Sequence, residues 1–246
     1  MIRHILCIVV AISFLAGCWH NKKNNQTTAK AQASAQQHHQ PGDPFETMED
    51  PPFTAKTRFA AGQLAESQGD NARAIKQYRE ALKLDPNHRD SIFRLGQLLT
   101  QERKFDEAIE LWQKYLAVTN QSPAGYNNLA FCYENAGRFD DAEKTYKAGI
   151  ARDPESSACR YNYGLMLARR GRINDAMAQL TTVLPPAEAN YNIGSVYEQQ
   201  GQTAQAKAYY TKALELNPKL RDARARLAAL NQSSGATTAP AGSGVR

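Results

Sequence analysis

Between residues 55 and 230, apolar positions recur at three- and four-residue spacing, the interval that lines one face of an α-helix. They come in short runs separated by turn residues. Ala74, Ile75, Tyr78, Ala81 and Leu82 form one such stripe on a helix expected over Asn71–Leu84. A first helix ending at Gln68 precedes it, and Gly69-Asp70 makes the turn. The next runs are Ile92, Leu95, Gly96 and Leu99, then Phe105, Ala108, Ile109, Trp112 and Leu116. Tyr126, Leu129 and Tyr133 follow, then Phe139, Ala142 and Tyr146. This alternation predicts an all-α chain of paired amphipathic helices.

The pairs repeat about every 34 residues. Gly62, Gly96, Ala130, Gly164 and Gly194 share one place in the period. Ala74, Ala108, Ala142, Ala176 and Ala206 share a second. Tyr78, Trp112, Tyr146, Leu180 and Tyr210 share a third. Pro86, Pro154 and Pro218 close copies, with Asn120 at that place in the second. The small residues let two helices approach, the large one fills the gap beside them, and Pro ends the second helix. Asn190–Pro218 shows the whole unit most plainly.

These landmarks resemble the tetratricopeptide repeat (TPR). The resemblance implies a right-handed superhelix of about five helix-turn-helix repeats over 55–218. The repeats span about 55–88, 89–122, 123–156 and 157–186, then the unit ending at Pro218. Arg58 replaces an apolar residue in the first repeat, as expected of an end repeat with one solvent face. Pro185-Pro186 cuts the fourth repeat short, so the helix after it must start early. That shortening either kinks the groove or is a tolerated deletion. Arg221–Leu230 fits a capping helix with Ala223, Leu227 and Leu230 inward and its arginines in water. Residues 55–230 form the repeat domain, and 231–246 read as a disordered tail.

The N-terminal part differs in kind. Ile5–Ala16 is an apolar run too short to span a membrane. It ends in Leu15-Ala16-Gly17-Cys18, which resembles the bacterial lipobox. The resemblance implies a lipoprotein signal peptide over 1–17 and diacylglycerol and palmitate-type acylation at Cys18. Several acyl chains give stable anchoring. Trp19, where inner-membrane lipoproteins often carry Asp, leans towards the periplasmic face of the outer membrane. Residues 18–54 form the anchor and a polar tether too poor in apolar surface to fold. Its r.m.s. reach is roughly 30 Å. His38 and His39 read as linker residues, and no metal site is assigned.

The formal net charge is +6, with arginines concentrated in the C-terminal half. A solvated helical face explains them, so no nucleic-acid partner is expected. Cys132 and Cys159 are either two buried thiols or, in an oxidising compartment, a disulfide between repeats three and four. His88 lies in a turn after Pro86-Asn87 and has no buried orienting partner for a triad. No metal, redox or phosphate-binding motif occurs. The chain is read as no enzyme, with no catalytic residue, no cofactor and no small-molecule substrate.

In the resembling family the first helices line a concave groove. Carried onto this chain, its fifth positions are Phe59, Phe93, Asn127, Tyr161 and Tyr191. Neighbouring groove positions are Gln63, Arg94, Gln97, Asn128, Phe131, Asn162, Leu165, Asn192 and Ser195. Rings beside amides suit an extended peptide or a partner helix; the other reading packs the rings between adjacent helices. The Lys/Asn set that grips a C-terminal carboxylate is absent from any three consecutive repeats. The resemblance thus implies a membrane-anchored scaffold of the bacterial cell envelope that holds an envelope protein, as an assembly factor for a pilus or secretion complex. The alternatives are an adaptor docking cell-wall enzymes and a homo-oligomeric lipoprotein using its convex face.

Overall fold

The computed structural model describes residues 53–236; the expected signal peptide, Cys18 and most of the expected tether lie outside them. Eleven helices follow one another, without a strand among the described residues. They are α1 (Ala55–Ser67), α2 (Asn71–Leu84), α3 (Arg89–Gln101), α4 (Phe105–Val118), α5 (Pro123–Asn135) and α6 (Phe139–Arg152). Then come α7 (Ser157–Arg169), α8 (Ile173–Leu180), α9 (Pro186–Gln199), α10 (Thr203–Leu216) and α11 (Arg221–Ala236). Odd-numbered helices from α1 to α9 open a repeat, even-numbered ones close it, and α11 caps the last.

The periodic landmarks form the core. All five second-helix alanines are fully buried, and so are Tyr78, Trp112, Tyr146, Leu180 and Tyr210. A Cβ built on Gly62, Gly96, Gly164 or Gly194 would stand 2.4–2.9 Å from the side chain at that large-residue place. The helices of a repeat therefore touch through a backbone with no side chain between them. Repeat three accommodates Ala130 at the same place, opposite Tyr146.

The turns inside the repeats use left-handed backbone at Gly69, Gly137, Gly171 and Gly201. The second repeat puts Arg103 there, at φ 61°, a conformation that costs an L side chain about 1–2 kcal/mol. The turn between repeats two and three is also distinct. It has no proline, and Asn120 and Gln121 both take positive φ.

The short fourth repeat resolves simply. The loss falls on its second helix: α8 has 8 residues where α2, α4, α6 and α10 have 14. The next helix starts at once, with Pro186 as its first residue, a position where a missing N–H costs nothing. First helices still pack against one another from α3 through α5 and α7 to α9.

One expectation changes and one pair of alternatives is decided. The terminal helix runs to Ala236, past the expected limit at Leu230; each further residue closes one more backbone hydrogen bond, so elongation continues without apolar anchors. Ala223 is buried and Leu227 and Leu230 pack beside it as expected, and Arg226, exposed as expected, also pairs with Glu198. Cys132 and Cys159 are free and buried. They occupy places seven residues apart in the repeat, about 10 Å of helix rise, far beyond a disulfide's reach. Their sulfurs lie against different carbonyls, those of Phe105 and Pro123. Burial raises both thiol pKa values, which makes them small apolar fillers.

Candidate partner-binding face

The first helices build one continuous face because their seventh and eighth residues turn inward onto the core while their sixth and ninth stay partly or fully exposed. None of the groove residues expected from sequence is fully buried. Their roles divide. Fifth-position rings stand on their own repeat's core: Phe59 lies 5.5 Å from Tyr78, Phe93 5.4 Å from Trp112, and Tyr191 5.6 Å from Tyr210. These rings are half-buried, so the packing reading holds for part of each. Tyr161 has another partner: its hydroxyl donates to Asn192 on α9 at 2.8 Å.

Amides connect the face laterally. Asn162 donates to Asn127 Oδ1 at 2.8 Å, joining α7 to α5. Asn128 and Asn192 donate to the carbonyls of Ala124 and Glu188 within their own helices. Arg94 donates to Gln97. Gln63, Leu165 and Ser195 lie on the same face, with Gln63 exposed and the other two half-buried.

A cleft of about 130 Å³ opens between α3 and α5. Gln97, Thr100 and Gln101 form one wall, Asn128 and Phe131 the other, and Trp112 lies beneath. Trp112 donates its indole N–H to Thr100, whose hydroxyl donates to the Gly96 carbonyl. Phe131 is 42% exposed, the one groove ring that leaves much of its surface to solvent. Wider clefts of about 380 and 440 Å³ lie beside the second helices. Ion pairs flank them, Arg172–Glu143 at 2.7 Å and Arg79–Glu107 at 2.5 Å.

Sequence reasoning missed a charged element of this face. In repeats one, three and five the core tyrosine hydroxyl donates to a carboxylate twelve residues earlier: Tyr78 to Glu66, Tyr146 to Glu134 and Tyr210 to Glu198. Each carboxylate then pairs with an arginine on the next first helix or the cap: Arg94, Arg169 and Arg226 respectively. Burial and then the carboxylate hold the Tyr78 hydroxyl far above its ordinary value. The same causes push Tyr210 up to about 12. Burial also raises the Glu134 carboxyl, although Arg169 pulls it the other way. The signal was in the sequence: Glu stands twelve residues before each core tyrosine, Thr100 before Trp112 and Ala168 before Leu180.

His88 is an N-cap. Its Nδ1 accepts from the Ser91 amide at 3.3 Å and its ring packs against Phe59. Among the described residues no cluster of His, Cys, Asp and Glu could hold a metal ion. No described helix is long and apolar enough to cross a membrane.

Stacked helix pairs with an open amide and aromatic face define a helical-repeat scaffold for protein interaction, a non-catalytic architecture. Tetratricopeptide repeat profiles match residues 59–123 and 133–190, 99–158 and 187–220. The chain belongs to the tetratricopeptide repeat family. It is 29% identical over 94 residues to the uncharacterized protein y4yS of Sinorhizobium fredii, covering 38% of this chain and 52% of that one. It is 27% identical to the photosystem I assembly protein Ycf3 of Synechococcus sp. (65% of each chain). It is also 27% identical to the type IV pilus assembly protein PilF of Pseudomonas aeruginosa (52% and 54%). The chain spans about half to two thirds of the length of these relatives. Among solved structures, MamA superposes with a TM-score of 0.54 at 24% identity, over 68% of this chain and 94% of that one. TTC0263, a TPR protein of Thermus thermophilus, gives 0.52 at 23%, over 72% and 99%. At these identities the structural likeness speaks for the fold alone.

Proposed function

We propose that this chain is a lipid-anchored assembly scaffold of a bacterial envelope, holding a segment of a partner protein on its first-helix face. The observation that carries the reading is that face itself: rings and amides run from α1 to α9 without a break at the short fourth repeat. Amides bond an extended backbone and rings take its apolar side chains. The lipobox-like Leu15–Cys18 supports the anchor, and acylated Cys18 would hold the scaffold at the periplasmic face of the outer membrane. The likeness to PilF, named for type IV pilus assembly, favours a pilus or secretion complex as the client.

Crosslinking in the native cell, followed by recovery of the C-terminally tagged chain, tests the client. Recovery of a secretin or pilus component supports the assembly reading, and recovery of cell-wall enzymes or only of further copies overturns it. Metabolic labelling with palmitate tests the anchor. Label that survives Cys18→Ser removes Cys18 from the proposal.

A further inference from the structure

We infer that the face selects an extended peptide segment without charge, held by its backbone and locked by one apolar side chain in the cleft between α3 and α5. This rests on the reading of that face as the partner site and names what the site takes.

The first ground is charge. The three carboxylates set along the face, Glu66, Glu134 and Glu198, are each neutralised within the chain. All six residues lining the cleft are uncharged. Arg94, which donates to Gln97 on the cleft wall, is already paired with Glu66, so a charged side chain laid there would lose hydration and find no free counter-ion. The electrostatic fit is therefore to a neutral occupant.

The second ground is hydrogen-bonding capacity. A side-chain amide has two donors and two acceptor sites. Asn128 spends one donor on its own helix, and Asn127 accepts one bond from Asn162. The remaining groups can bond a peptide's N–H and C=O, which every sequence supplies. Recognition by backbone tolerates sequence variation, so one position must fix the register.

Phe131 provides that position. Four other large apolar side chains are well exposed: Phe53 precedes α1, Leu84 and Leu216 end α2 and α10, and Leu64 lies within α1 but lines no cleft with an aromatic floor. Phe131 sits inside α5 and walls a cleft floored by the indole of Trp112. An engineered apolar cavity of about 150 Å³ takes a benzene, so this cleft of about 130 Å³ has room for one aliphatic side chain.

The test is a random dodecapeptide phage library panned on the full chain in detergent micelles. The selected pool is expected to be poor in Asp, Glu, Lys and Arg and to share one aliphatic residue. Synthetic copies should bind with less than about twofold change between roughly 50 and 500 mM salt, where exposed charge pairs become screened. Phe131→Ser should weaken them about tenfold or more, the loss expected of one anchor side chain. A side chain this exposed can be exchanged without unfolding, and circular dichroism checks that. A pool rich in charge, or strongly salt-dependent binding that Phe131→Ser still weakens, overturns the neutral selection and leaves the partner face standing. Peptides that bind Phe131→Ser and Asn162→Asp as tightly as the parent overturn both. A pool without consensus, with self-association that Phe131→Ser abolishes, assigns the face to a second copy and overturns the peptide proposal.

Discussion

At the residue scale, two features make measurable predictions. Arg103 takes the left-handed turn that glycine takes in the other four repeats. Arg103→Gly relieves that strain but loosens the unfolded chain. The balance should stabilise the fold by about 0.5–1 kcal/mol in urea unfolding, because strain near 1–2 kcal/mol exceeds the entropy term. Gly137→Ala should do the reverse, costing about 1 kcal/mol. The tyrosines act through pH. Tyr210 has its folded pKa raised from 10.0 to about 12, so its contribution is complete below pH 10 and disappears as pH rises towards 12. Tyr210→Phe should flatten the alkaline fall in stability over that window; an unchanged fall would remove Tyr210 as its source. Individual residues were unevenly legible. Landmark positions declared themselves by recurrence, five times over. Glu66 and its equivalents did not, because a glutamate on a helix reads as solvated until its tyrosine and arginine partners are seen together. His88 was hidden likewise, since its capping role depends on the Ser91 amide.

Elements show how the repeats are joined. Arg169 and Glu134 link α7 to α5, with 8% of the glutamate side chain exposed and 35% of the arginine. Arg169→Met leaves that carboxylate unpaired in a mostly dry site. Breaking a fully buried pair costs 3–5 kcal/mol; with the arginine partly solvated, a loss of about 2 kcal/mol is expected in urea unfolding. An effect under a few tenths would reduce the pair to surface decoration. The short α8 shows what sequence could resolve at this scale. Pro185-Pro186 announced an early start for α9. The place of the lost residues, all on the second helix, was decided by packing: Tyr161 reaches Asn192 and Gln200 reaches the Arg169 carbonyl across the gap.

For the whole molecule, the cap is the testable part. Ala206, Tyr210 and Ala213 are buried in one cluster with Ala223, and a solenoid without its terminal helix exposes such a face. Ending the chain after Pro218 should therefore lower thermal stability and raise binding of an apolar dye. It should also free Glu198 from Arg226. Fold class and repeat count were readable because a solenoid repeats its reasons. The true end of α11 was not, since its last turns carry no apolar pattern. The separation of the two thiols was also in the repeat register, seven places apart, though it shows only when each cysteine's place within its repeat is compared.

The Tyr–Glu–Arg clusters also divide the array. They bolt repeat one to two, three to four, and five to the cap. Between two and three Thr100 stands where a glutamate would be, and the connecting turn is the one with left-handed Asn120 and Gln121. The solenoid is thus built in two-repeat modules, and the seam between the first two modules is where the small cleft opens. A guest lodged there would act as a clasp across a joint that no Tyr–Glu–Arg cluster bolts, as none bolts repeat four to five, where Ala168 and Leu180 hold the two places. Amide exchange along α4 and α5 would then slow on binding more than anywhere else in the chain.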